Sequence, residues 1–173
     1  MNLDELAFVG LGSNLGTSRA NVLAAMDRLQ ELSDSPLLRS SLLETAPVDC
    51  PPGSPQFINA VVGLAPRASE TPESLLLKLR ELEKQFGRKP KAILNEPREL
   101  DLDLIAFGTE MRATKELVLP HHRARLRRFV LQPLNEIAPD LILPGESKTV
   151  AQLLAALSAD ENHAKPTEAR GCD

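Results

Sequence analysis

Leu6-Ala7-Phe8-Val9-Gly10-Leu11-Gly12-Ser13-Asn14-Leu15-Gly16 sets the architecture of this chain. Its first six residues are apolar or small and suit a buried strand, and the glycines and asparagine that follow tolerate the positive φ of a tight turn. Thr17 or Ser18 then caps a helix running to about residue 32, with Val22, Leu23, Met26 and Leu29 on one side at helical spacing. Working outward, residues 36–43 read as a second strand, followed by a turn-rich stretch, 45–55, too rich in proline for regular structure and taken as a stiff surface loop. Residues 57–64 return as a strand. Thr71-Pro72-Glu73-Ser74 has the pattern of a capping box opening a helix to about residue 86, where Gly87 stops it. Residues 88–99 are polar, contain Pro90 and Pro97, show neither period and read as a mobile loop. A strand at 100–107 follows, then Gly108-Thr109-Glu110 as a hairpin turn, a short return strand, a helix or turn from about His121, and a last amphipathic helix near 150–157.

Strand, helix, strand, strand, helix, strand is the order of an α+β, ferredoxin-like βαββαβ sandwich. Helices are expected on one face of a mainly antiparallel sheet, with a C-terminal extension. No repeat and no linker between two cores is visible, so residues 1–158 form a single expected domain and 159–173 an expected disordered tail. A chain of 173 residues, 42% hydrophobic and 25% charged, has material for one such core.

Composition also excludes. Aromatic residues are 3%, all Phe, which leaves a nucleic-acid reader without stacking platforms. No apolar run reaches the roughly 18 residues of a spanning helix, and the opening Met1-Asn2-Leu3-Asp4-Glu5 carries acid where a signal peptide carries base. Cys50 and Cys172 are far apart, so free thiols in a reducing cytoplasm are expected, with neither a disulfide framework nor a zinc cluster. The expectations are therefore no nucleic acid, no membrane and a cytoplasmic protein.

The net charge of −4 is unevenly spread. Residues 88–128 hold ten Lys or Arg against six Asp or Glu, a local +4, and the remainder stands at −8. Inside this basic segment lie two acids in an apolar run, Leu100-Asp101-Leu102-Asp103-Leu104-Ile105. Residues two apart on a strand face the same side, so Asp101 and Asp103 aim at one point while Leu100, Leu102 and Leu104 turn to the core. Two like charges side by side call for an arginine or a divalent cation. Oxygen-only ligands favour magnesium, which fills the rest of its shell from water and substrate phosphates. An exposed sheet face decorated with acids is the plain alternative. Arg88, Lys89, Lys91 and Arg98 before the pair, and His121, Arg123, Arg125, Arg127 and Arg128 after it, exceed what two carboxylates need. The surplus suits a polyphosphate such as a nucleoside triphosphate. Gly12-Ser13-Asn14-Leu15-Gly16 follows a strand and opens a helix, yet lacks the Gly-Lys-Ser/Thr of a phosphate loop, and reads first as a tight turn.

From about Phe8 to Pro144 the chain resembles the 6-hydroxymethyl-7,8-dihydropterin pyrophosphokinase family. Pro97-Arg98-Glu99-Leu100-Asp101-Leu102-Asp103-Leu104-Ile105 is similar to its signature of Pro-Arg, two residues, then Asp-Leu-Asp and aliphatics. Four further pieces stand in the family's order: Gly12-Ser13-Asn14-Leu15, Thr45-Ala46-Pro47, Phe57-Ile58-Asn59-Ala60, and Leu119-Pro120-His121 with Arg127-Arg128-Phe129. The resemblance implies an ATP-dependent diphosphotransferase of folate biosynthesis that moves pyrophosphate from ATP to the pterin alcohol and releases AMP. It implies two Mg2+ ions on Asp101 and Asp103, nucleotide contacts at Leu104, His121 and Arg127, and Arg88 and Arg98 closing over the reacting centre. Asn59 would bond the pterin edge, completed by Thr45, Pro47 and Val48, with Phe57 and Phe129 on the two faces of the ring. A monomer acting on two small molecules is the expectation. The chain departs from the pattern at Pro90, where many members carry a second arginine, at Asn95 in place of a tryptophan, at Glu96 in place of a glycine and at His122 in place of an aromatic. A diverged, non-catalytic pterin or nucleotide sensor, and an interaction module with no small ligand, stand beside the enzyme as readings.

Overall fold

The computed structural model describes residues 2–47, 50–89 and 96–163, with no side-chain description from 161 on. Its strands are β1 (Ala7–Ser13), β2 (Leu38–Arg39), β3 (Leu43–Thr45), β4 (Phe57–Leu64), β5 (Asp101–Phe107), β6 (Arg112–Ala113) and β7 (Val118–Leu119). The α-helices are α1 (Ser18–Gln30), α2 (Pro72–Gln85), α3 (Arg128–Ile137) and α4 (Val150–His163). The main sheet runs β2-β4-β1-β5, with β3 also pairing β4, and every pairing is antiparallel. This is the expected ferredoxin-like order, the second strand being split in two at residues 40–42.

Alternation along β1 explains the layers. Ala7, Val9 and Leu11 face α1 and α2, joining Val22, Met26, Leu29, Leu75, Leu79, Leu102 and Leu104 in one core. Leu23, expected on that side, is exposed, and Ala25 takes its place. Phe8 turns the other way, to a second core with Val61, Ile105, Leu131, Leu134 and Val150. Helices therefore cover both faces, not one. In β4 every residue after Phe57 is buried, and a strand buried along its whole length requires cover on both sides.

Thr71 and Ser74 form the reciprocal capping box at the start of α2, a motif that satisfies two otherwise orphaned helix-end donors. Its end is closed by Gly87, at φ +95°, whose N–H reaches the Lys84 carbonyl at 3.0 Å. Two further expectations are corrected, and one element, α3, is new. The turn at Gly108 does not return a strand to β5, because β6 pairs with β7 in a separate ribbon. Residues 128–137 form α3 although Pro133 lies inside it. Helix α4 continues to His163, so the tail boundary set at 159 falls within a helix.

Candidate active site

The site lies on the α3 side of the sheet. Asp101 stands opposite Gly12, and Asp103 opposite Gly10, while on the other flank of β1 Gly12 faces Asn59. The central strand thus offers no side chain between the aspartates and Asn59. A Cβ at Gly12 would meet Asn59 Oδ1 at 3.3 Å and Phe57 Cδ1 at 3.9 Å. Two glycines two apart on a strand leave a bare strip of floor. Asn59 donates through Nδ2 to Thr45 Oγ1 at 2.7 Å across β3 and β4, so the side chains expected to hold one ring edge already touch. Pro47 sits half-buried just beyond β3, and Val48 lies outside the described residues.

The arginines converge on Asp101. Arg98 Nη1 donates to Asp101 Oδ1 at 2.6 Å and Arg88 Nη1 to the same oxygen at 3.2 Å. Arg88 also pairs with Glu83. The 88–99 stretch, expected to be mobile, is tied down at both ends. Arg88 N–H donates to the Glu83 carbonyl at 3.1 Å, and Arg98 is fastened to the turn after β1, its N–H on Asn14 Oδ1 at 2.9 Å. Pro90 and Asn95, two of the departures, lie outside the described residues.

The Asp103 side chain makes no hydrogen bond or ion pair among the described residues. Burial first and then the Asp101 charge push its carboxyl up to about 6, against the pull of Arg127, Arg98 and Arg88. A carboxyl short of positive charge, beside a second on the same face, suits a cation. No third His, Cys, Asp or Glu joins the pair among the described residues, which fits a magnesium ion whose shell is completed by substrate oxygens.

Burial, then His122, Arg127 and Arg123, push the His121 imidazole down to about 4, so it is neutral near pH 7. Its Nδ1 accepts the Arg123 N–H at 3.3 Å, which leaves Nε2 as the protonated donor. His122 stacks on it with ring centroids 4.9 Å apart. The Arg127 guanidinium lies over the Phe129 ring, 5.4 Å from its centroid. Phe57 and Phe129 are both half-buried, Phe57 on the sheet and Phe129 in the first turn of α3. The Leu104 side chain is buried in the core against α1 and α2, on the opposite face from the aspartates, so only its backbone faces a nucleotide.

One site residue escapes a reading by motif. Glu83, on the apolar stripe of α2 with Leu75, Leu79 and Leu82, is 3% exposed. Its Oε1 accepts the Leu102 N–H at 2.8 Å on β5, and its other oxygen holds Arg88. The signal was present, since an acid at a core-facing helical position needs a buried partner.

A ferredoxin-like domain that gathers two carboxylates, several guanidiniums and a polar slot beside a bare strand belongs to the class of small enzymes that handle phosphorylated molecules. Comparison with known proteins narrows this. The family model described as 7,8-dihydro-6-hydroxymethylpterin-pyrophosphokinase matches residues 8–139. The 2-amino-4-hydroxy-6-hydroxymethyldihydropteridine pyrophosphokinase of Pseudomonas aeruginosa is 36% identical over 152 residues, 88% of this chain and 91% of its own. The enzyme of that name from Haemophilus influenzae is 36% identical over 149 residues, 86% of this chain and 90% of its own. Plasmodium falciparum HPPK-DHPS with pteroate superposes with a TM-score of 0.70 at 12% identity, covering 91% of this chain and 45% of that one. The chain belongs to the 7,8-dihydro-6-hydroxymethylpterin-pyrophosphokinase family, and is a diphosphotransferase of folate biosynthesis.

Proposed function

We propose that this protein transfers pyrophosphate from ATP to the hydroxymethyl group of 6-hydroxymethyl-7,8-dihydropterin in the presence of magnesium, giving AMP and the pterin diphosphate. The observation that carries the reading is the aspartate pair on β5, faced by glycines and ringed by Arg88, Arg98 and Arg127. The acceptor oxygen attacks the β-phosphorus of ATP. The bond from that phosphorus to the oxygen bridging to the α-phosphate breaks, AMP leaves, and the hydroxyl proton passes to water. Such a transfer asks a protein mainly for positioning and charge neutralisation. Asp101 and Asp103 would hold the magnesium, which when bound would supply further charge neutralisation for the phosphates.

The chain's own groups do the rest. Arg88 and Arg98, held by Asp101 at rest, take phosphate oxygens, and Arg127 and the Nε2–H of His121 take others. Asn59 and Thr45, with Pro47 and by family resemblance Val48, fix the polar edge of the pterin, and its flat ring lies over the Gly12 floor between Phe57 and Phe129. We take the protein to act as a cytoplasmic monomer; sedimentation with both substrates present tests the oligomeric state.

Incubating the protein with hydroxymethyldihydropterin, ATP and magnesium tests the reading. AMP is expected, and chelation of the metal should abolish its release. Asp101→Asn and Asp103→Asn should each lower kcat by roughly 100-fold or more, on the scale of losing preorganised charge stabilisation. ATP binding without AMP release would favour the sensor, and no effect of ATP with magnesium on thermal stability would favour an interaction module.

A further inference from the structure

Asn14 is 1% exposed just after β1, in the Gly-Ser-Asn-Leu segment that reads first as a tight turn. Its Oδ1 accepts the Arg98 N–H at 2.9 Å, and the Asn14 and Leu15 N–H groups donate to the Arg98 carbonyl at 3.0 and 3.1 Å. From the first turn of α1, Asn21 Nδ2 donates to the Glu99 carbonyl at 3.1 Å. Both backbone groups of Arg98 are thus satisfied by one neighbouring turn. The sheet cannot do this, because β5 begins only at Asp101, and Pro97 on the other side has no N–H to anchor. The Arg98 guanidinium in turn reaches Asp101 at 2.6 Å.

The geometry points to Asn14 as a positioning residue for the transfer. Through the backbone of Arg98 it fixes where that guanidinium stands relative to Asp101 and the reacting phosphates. The inference rests on the reading of Asp101 and Arg98 given above. Transfer chemistry that depends on placement loses up to about 100-fold for an error near 1 Å, whereas the polar partners proposed for the pterin, Asn59 and Thr45, are held by each other and not by Arg98. A role confined to stability would lower the melting temperature and leave the kinetics of the folded fraction intact.

The experiment is a double-mutant cycle in steady-state AMP release, with melting temperatures measured alongside. Wild-type activity tests the underlying reading separately, since no AMP from wild type sinks that reading before any variant is compared. With wild type active, Asn14→Ala is expected to lower kcat roughly 10- to 100-fold while KM for the pterin stays within about threefold. In an Arg98→Ala background the same change should cost nearly nothing further. Asn14→Ser, which withdraws its oxygen from the Arg98 N–H while keeping a polar side chain, makes the same comparison where Asn14→Ala does not fold. A folded variant with wild-type kcat, or losses that multiply in the double variant, overturns the assignment.

Discussion

At the scale of single residues, Glu83 is a buried carboxyl held between the Leu102 N–H and Arg88. Burial, helped by the nearby Asp101 charge, pushes its carboxyl up to about 7 from the ordinary 4.5, against the pull of Arg88 and the Leu102 N–H. A carboxyl whose folded pKa lies above its unfolded one binds more protons folded than unfolded across that window, so it favours the folded state at low pH and loses that contribution as pH rises. Glu83→Gln keeps an oxygen for the Leu102 N–H and removes the titration. The unfolding free energy of the variant, measured in urea, should therefore gain on wild type by about 1–3 kcal/mol between pH 4.5 and pH 8. A variant that loses ground over that range would mean that Arg88 holds Glu83 ionised throughout. The aspartates were legible because an acid in a run of leucines contradicts burial. Glu83 carried a fainter signal, its place on the apolar stripe of α2, and its partners Leu102 and Arg88 show only once the sheet is assembled.

At the scale of elements, β1 determines what the site can admit. Its odd-numbered residues, Ala7 to Leu11, fill a core, while Gly10 and Gly12 face the aspartates and Asn59. Strand, turn and helix could be read from this segment, and so could the tight turn. The glycines' function could not, since a strand glycine has several uses until its cross-strand partners are identified. Gly12→Ala puts a methyl 3.3 Å from Asn59 Oδ1 on backbone of ordinary φ, so the fold should survive while the slot narrows. Pterin KM should rise about tenfold or more, on the scale of a 1–3 kcal/mol steric misfit, with KM for ATP nearly unchanged. Isothermal titration with the pterin alone checks this directly, and unaltered pterin affinity would place the ring elsewhere.

At the scale of the molecule, the sheet joins two cores that share every central strand. The βαββαβ order was readable because each helix has a clear period or cap and each strand a clear run. The second layer was not read, since only a helix or turn from about residue 121 is legible and Pro133 obscures the helical pattern of 128–137. Helix α3 closes the second core through Leu131 and Leu134, both fully buried, and carries Phe129 in its first turn. Val9 and Phe8 are adjacent residues in different cores, so the strand cannot stay ordered when one core is lost. Leu131→Ala should therefore cost about 2–5 kcal/mol and lower the stability of both layers together. Urea unfolding followed by circular dichroism, and amide exchange at Val22 in α1 and Leu134 in α3, should report a single transition with the same midpoint. Exchange at Leu134 that accelerates in the variant while Val22 stays protected would show two independently folding layers, with α3 and its phenylalanine separable from the sheet that holds the aspartates.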